Sequence, residues 1–181
     1  MLMSVGALLD ESVLEIIIEG CRDFNKKVYI PSGAITGLDG VRAVKNELNS
    51  IMLVTTKNPN ALKGAKFFET SKINLDELKE STVIYEGTAQ EAVKLFPANI
   101  NVAALLSLAG LGSIRTKVKI IADPLADKNI HEIQAEGKFG KFSIKVENVP
   151  SENNPKTSRL AILSAIDCLR KICDNDTQII L

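Results

Sequence analysis

The sequence predicts an α/β protein in two lobes: a strand–helix–strand (βαβ) fragment, then an α+β lobe built on a mixed sheet. Three observations carry this. Short apolar runs at Met1–Val5 and Val28–Ile30 flank a helical pattern, the layout of a parallel unit with a right-handed crossover. From Ser50 onward strand-like and helix-like stretches mix, and three strand patterns follow in succession near the end. An amphipathic stretch over 157–173 then closes the chain.

The elements follow in order. After Met1–Val5, Asp10 precedes a helix in which Val13, Ile17, Cys21 and Phe24 recur at threes and fours, with Lys26-Lys27 at its basic end. Val28–Ile30 is stopped by Pro31, and Ser32-Gly33-Ala34-Ile35-Thr36-Gly37 is a run of mostly small residues. Such a loop at the carboxyl end of a parallel strand is either a plain strand-to-helix turn or a place where a flat ligand approaches the backbone. Leu38–Leu48 reads as a helix with Val41, Val44 and Leu48 on one face. Ile51–Thr56, Lys66–Glu69 and Thr82–Gly87 read as strands, with a short helix opened by Asn74 between the last two. Thr88-Ala89-Gln90-Glu91 is a capping box for a helix ending before Pro97. Asn101–Gly110 is apolar almost all round and is expected to be buried on most sides. Lys117–Ala122, Asn129–Gly137 and Lys141–Val149 are strands, the last alternating Phe142, Ile144, Val146 with Ser143, Lys145, Glu147. Ser151–Pro155 reads as an open loop before the final helix, whose stripe is Leu160, Leu163, Ile166 and Leu169. The domain division is therefore residues 1–48 with the closing helix 156–175 as one lobe, and 49–155 as the other.

Composition narrows the function classes. Lysine plus arginine balances aspartate plus glutamate at 22 each, so there is no basic field to gather nucleic acid. Tryptophan is absent and aromatics are 4%, which argues against stacking platforms for single strands. Cys21, Cys168 and Cys173 form no CxxC pair, and with one histidine a structural metal site is not expected. They are expected as buried or half-buried thiols in a reducing compartment. No basic region precedes the apolar start, so no signal peptide is indicated, and no apolar run is long enough to span a membrane. The expectation is a cytoplasmic globular protein.

The single histidine stands in Asn129-Ile130-His131-Glu132-Ile133. Strand alternation puts Asn129, His131, Ile133 and Ala135 on one face. There His131 is a satisfied structural residue, a surface residue, or a general acid/base aimed into a cleft; periodicity alone leaves the three open. An unperturbed imidazole exchanges protons near neutrality and suits the third role.

At SVGALLD, YIPSGAITGLDG, FPANINVAALLSLAGLG, VKIIADP, NIHEI and ENVPSENNPKTS, spread in order from residue 1 to 170, the chain resembles the L-aspartate dehydrogenase family. The resemblance implies a partial Rossmann-like lobe and a substrate or oligomerisation lobe. It implies oxidative deamination of L-aspartate with NAD or NADP, giving iminoaspartate and then oxaloacetate and ammonia, a step linked to NAD biosynthesis. The family's active-site histidine falls on His131, and its cofactor contacts fall on Ala34 and Asn101. Ala34 suits a ring held flat against a small-residue loop, Asn101 can hold a carboxamide, and His131 can take the amine proton. Lys156, Thr157 and Ser158, expected at the start of the last helix, are candidate partners for the substrate carboxylates, since helix N-termini attract anions. A plain capped helix start is the alternative.

The family's G-x-G-x-x-G turn has no match here. Two expectations follow: weak dinucleotide binding by the isolated chain, and association through an apolar first strand, as a homo-oligomer (dimer) or with a partner supplying the missing half. The competing readings are a non-catalytic oligomerisation or small-molecule-binding remnant, and a lyase or hydrolase that reuses the substrate lobe.

Overall fold

The structure, a computed structural model, describes residues 1–97, 101–151 and 154–173. Its centre is a mixed five-stranded sheet: β1 (Leu48–Lys57), β2 (Thr82–Thr88), β3 (Thr116–Ala122), β4 (Asn129–Gly137) and β5 (Gly140–Asn148) lie in the order β2-β3-β1-β4-β5. β1 and β3 run parallel, and every other pairing is antiparallel. The expected strands at 51–56, 82–87, 117–122, 129–137 and 141–149 all form, within a few residues at their ends.

One face of the sheet is covered. Ile51, Leu53, Thr55 and Lys57 of β1 are buried, as are Thr116, Val118, Ile120 and Ala122 of β3 and Asn129, His131, Ile133 and Ala135 of β4. Intervening residues such as Met52, Val54, Ile130 and Glu132 are half-buried, so the period-2 pattern holds across the sheet centre. Helices α4 (Ala89–Leu95) and α5 (Asn101–Ala109) pack on the covered face against β3. The Thr88–Glu91 capping box forms reciprocally, as its sequence predicts. In α5 every residue but Asn101 and Leu108 is buried, which is why its sequence lacks a polar side.

Around this centre the sequence expectations are corrected in four places. Met1–Val5 and Val28–Ile30 run without regular strand structure on either side of α1 (Glu11–Asp23). A single backbone bond, from Leu2 N to Tyr29 O at 2.8 Å, joins them. A parallel pair with so little ladder and Met1, Met3, Val28, Tyr29 and Ile30 exposed has too little support to form strands. Leu38–Leu48 is shorter as a helix than expected: α2 covers Leu38–Ala43, a 3-10 turn follows, and Leu48 already belongs to β1. Lys66–Glu69 is not a strand, because Phe67–Thr70 form one helical turn, α3. That turn stacks Phe67 on Phe96 at 5.2 Å and brings Phe68 and Tyr85 edge-on into the same cluster, a gain no strand at this place provides. Finally, Ser151–Pro155 is not a plain loop and the last helix starts later than expected. β6 (Pro150–Ser151) pairs with β7 (Asn154–Ser158), and α6 occupies Arg159–Cys173.

The three cysteines are unbonded, with Cys21 and Cys168 half-buried as expected and Cys173 exposed. Among the described residues no helix is long and apolar enough to cross a membrane.

Candidate functional site

The site is built on the pairing of β1 with β4. Their register sets Thr55 opposite His131, with both side chains on the covered face. Thr55 Oγ1 and His131 Nδ1 lie 3.1 Å apart in a buried hydrogen bond. A histidine whose Nδ1–H donates to the threonine oxygen keeps a lone pair on Nε2; the opposite tautomer makes the threonine the donor. His131 is 3% exposed, which removes the surface reading of the imidazole. Burial, followed by the neighbouring Lys57 charge, pushes its proton affinity down to about 3, so the ring is neutral at physiological pH.

Two residues beyond Thr55 on the same face stands Lys57, itself 6% exposed and pushed down to about 8 by burial. Its carbonyl accepts from Asp123 N at 2.9 Å, which anchors the carboxyl end of β1. The β1–β4 register, continued by one residue past Thr56 and Ile130, sets Lys57 level with Asn129. Asn129 in turn pairs with Asn148 of β5. A polar row of Lys57, Asn129 and Asn148 thus adjoins the Thr55–His131 pair within an otherwise apolar core.

The small-residue loop closes on this row. Asn148 Nδ2 donates to the Ala34 carbonyl at 2.9 Å, so the loop rests on β5 one strand away from His131. Gly33 has φ +65°, and a Cβ there would lie 3.3 Å from Leu105 of α5, one turn after Asn101. Gly33 N also donates to Ser164 Oγ of α6 at 3.0 Å. Gly37, at φ +76°, sits against Ile144 of β5. Residues 33–37 are therefore clamped between α5, β5 and α6. Asn101, the first residue of α5, is exposed, and its Oδ1 accepts from Val5 N at 3.3 Å. One lone pair of that amide is thereby committed, while its NH2 end can still donate.

Of the expected site residues, Ala34 is tied to the His131 region by Asn148, and Asn101 shares a helix with the residue that packs on Gly33. Lys156 and Thr157 lie in β7, whose pairing with β6 keeps the chain extended, while Ser158, the last residue of β7, directly precedes the first turn of α6 at Arg159. The helix-terminus argument for anion binding is thereby confined to Ser158, beside the first turn of α6. Ser158 is buried, Thr157 half-buried, and the Lys156 side chain lies outside the described residues. Sequence reasoning missed Thr55, Lys57, Asn129 and Asn148. A signal for two of them existed: Ile51 and Leu53 set a period that places Thr55 and Lys57 inward. Away from the site, a hollow of about 580 Å³ lies between Gly6–Glu11 and the α4 residues Gln90, Val93 and Lys94, and none of the expected site residues lines it.

Comparison with known proteins identifies the family. The family model described as aspartate dehydrogenase, C-terminal, matches residues 39–172. The chain is 66% identical over 179 residues to an L-aspartate dehydrogenase of Nitrosopumilus maritimus, covering 99% of this chain and 66% of that protein. It is 50% identical over 175 residues to an L-aspartate dehydrogenase of Methanococcoides burtonii, covering 96% and 65%. A crystal structure of aspartate dehydrogenase from Thermotoga maritima superposes with a TM-score of 0.76 at 31% identity, covering 98% of this chain and 66% of that one. The chain thus spans slightly less than two thirds of the length of these relatives. The chain belongs to the aspartate dehydrogenase family.

Proposed function

We propose that this chain carries the catalytic lobe of an NAD(P)-dependent L-aspartate dehydrogenase, which converts L-aspartate and water to oxaloacetate and ammonium through iminoaspartate. The observation that carries the reading is the buried His131, fixed at Nδ1 by Thr55 and linked through the Asn129–Asn148 pairing to the Ala34 loop. A scaffold gains nothing from burying an imidazole, an ammonium and two amides side by side in its core, since each costs desolvation.

The residues present fit a nicotinamide. In the 33–37 loop the one large side chain, Ile35, is buried in the core, and Gly33 and Ala34 leave little bulk between the backbone and a flat ring. The Asn101 NH2 end can donate to the carboxamide oxygen. When bound, the nicotinamide supplies the hydride acceptor. The chain's own residues do the rest. With Nδ1–H donated to Thr55, His131 offers Nε2 as the base that takes a proton from the substrate ammonium and, once that proton has passed to solvent, takes one from the water that attacks the imine. The neutral ring keeps the Nε2 lone pair available before the first step, while burial weakens it as a proton acceptor.

The same reading includes the assignment of Thr157 and Ser158, with Lys156, as substrate-side residues, supported by the buried position of Ser158 where β7 meets α6. It includes the two-lobe division, supported by the Gly33–Ser164 bond that ties α6 to the N-terminal segment. Association as a dimer or with a partner, supported by the exposed Met1, Met3, Val28 and Ile30, and a cytoplasmic setting, supported by the unbonded cysteines, complete it.

The test follows NAD(P)H formation from L-aspartate, with the chain alone and with an added polypeptide carrying a strand–G-x-G-x-x-G–helix segment. Turnover that needs L-aspartate and is lost in His131→Asn supports the proposal. Absence of turnover under both conditions overturns it in favour of a non-catalytic binding module.

A further inference from the structure

We propose that Lys57 is the cationic seat for a carboxylate of the substrate, and so a residue that selects short dicarboxylic amino acids at the His131 site. The proposal rests on the reading of His131 as the base, and adds to it the group that recognises the acid.

Placement carries the argument. Lys57 is the last residue of β1, and the alternation Ile51, Leu53, Thr55, Lys57 turns it to the covered face. Lysines at strand ends ordinarily extend their stems to put the ammonium in water. Here the residue is 6% exposed, so the head stays inside. It stays beside the imidazole: Thr55, two residues back, bonds His131, and the continued register sets Lys57 level with Asn129. Two buried amides, Asn129 and Asn148, complete the row. A second observation points to a ligand. The Asn148 Nδ2 is used on the Ala34 carbonyl, whereas its Oδ1 is buried and accepts no hydrogen bond among the described residues. A buried acceptor left open at the β5 end of the row that Lys57 begins on β1 suits a molecule with both an N–H donor and a carboxylate. An α-amino dicarboxylate has both. The ammonium also opposes protonation of His131, and a carboxylate seated on it would cancel that field, so binding the substrate would strengthen the base that acts on it.

The experiment uses succinate, an unreactive dicarboxylate, and the fact that the chain has a single histidine. Ring-proton resonances of His131 are followed by NMR during succinate titration of the wild type and Lys57→Met, with Lys57→Gln in reserve should the first variant not fold. Amide spectra and thermal unfolding report folding. The expected result is a saturable shift in the wild type and an affinity at least about tenfold weaker in the variant. A variant affinity within about twofold of wild type, or a wild-type ring that does not respond to succinate, overturns the proposal. A parallel assay separates it from the reading beneath it. Turnover of L-aspartate with KM unchanged in Lys57→Met removes the Lys57 role and leaves the dehydrogenase. Succinate binding lost in the variant, with no L-aspartate oxidation by the wild type, leaves the anion seat and removes the dehydrogenase.

Discussion

Acidification should destabilise this protein through one residue. His131 has an ordinary imidazole affinity of 6.5 when the chain is unfolded and one pushed down to about 3 in the fold, by burial first and by the Lys57 charge second. Between these values the unfolded state binds a proton that the folded state refuses. Stability is therefore intact above about pH 6.5, falls as the pH drops through that value, and levels off only near pH 3, where the folded ring protonates too. Near pH 5 the unfolded ring is favoured by about one and a half pH units, or ~2 kcal/mol at ~1.36 kcal/mol per unit. Because the ring is almost fully buried, solvent screening does not reduce this figure much. Lys57 adds no slope in that range, since it is mostly protonated in both states. Carboxylates do add slope, so the assay is a comparison: urea unfolding near pH 7 and near pH 5 for wild type and His131→Asn. The wild type should lose ~2 kcal/mol more than the variant over that interval. Equal losses, or an NMR titration of the lone imidazole with a midpoint near 6.5, would refute the argument that the ring is held neutral by its surroundings.

Three further outcomes are expected. In the L-aspartate assay, His131→Asn should lower kcat at least about a hundredfold, the usual contribution of a general base, and steady-state rates check it. Thr55→Val, which removes one hydrogen bond of ~1 kcal/mol, should lower kcat about fivefold to tenfold with KM little changed, while Thr55→Ser should keep most of the rate. Gly37→Ala places a side chain at φ +76° against Ile144 and should cost ~1–2 kcal/mol, read as a fall in Tm by calorimetry; an unchanged Tm would show that the loop accommodates a Cβ there.

Much of this architecture was legible in the order of residues, and the failures have physical causes. The five sheet strands were readable because one face is buried, so Ile51/Leu53, Val118/Ile120 and Phe142/Ile144 keep strict period two. The Thr88–Glu91 cap was readable because both halves of its hydrogen bonding are local. Phe67-Phe68 misled because aromatic pairs favour strands until a partner such as Phe96 rewards one helical turn. Thr157 misled because the stripe of α6 begins just after it, and the pairing of Pro150 with Ser158 that keeps β7 extended is not visible in the local pattern. In the site, the face of His131 followed from alternation alone. Its neighbours did not, since Thr55 and Asn148 come to its side only through the strand pairings Thr55–His131 and Asn129–Asn148, whose partners lie 76 and 19 residues apart in the chain.

On the proposed role of His131, that dependence on pairing bears on how a base with so low an affinity would serve. An imidazole near 3 is a poor acceptor for the proton of an ammonium. Two causes hold it there, and they differ in permanence. Burial is fixed by β1, β4 and β5 and acts whether or not a ligand is present. The Lys57 contribution depends on the net field at that ammonium, which a ligand anion seated on it would reduce. A substrate that brings a carboxylate to Lys57 removes the second cause at the moment it presents its amine, whereas a monocarboxylic amino acid that spends its one acid group elsewhere does not. Selectivity and base strength would then be the same event. In kinetic terms the discrimination between L-aspartate and L-alanine should appear in kcat as well as KM, and Lys57→Met should narrow the difference in both.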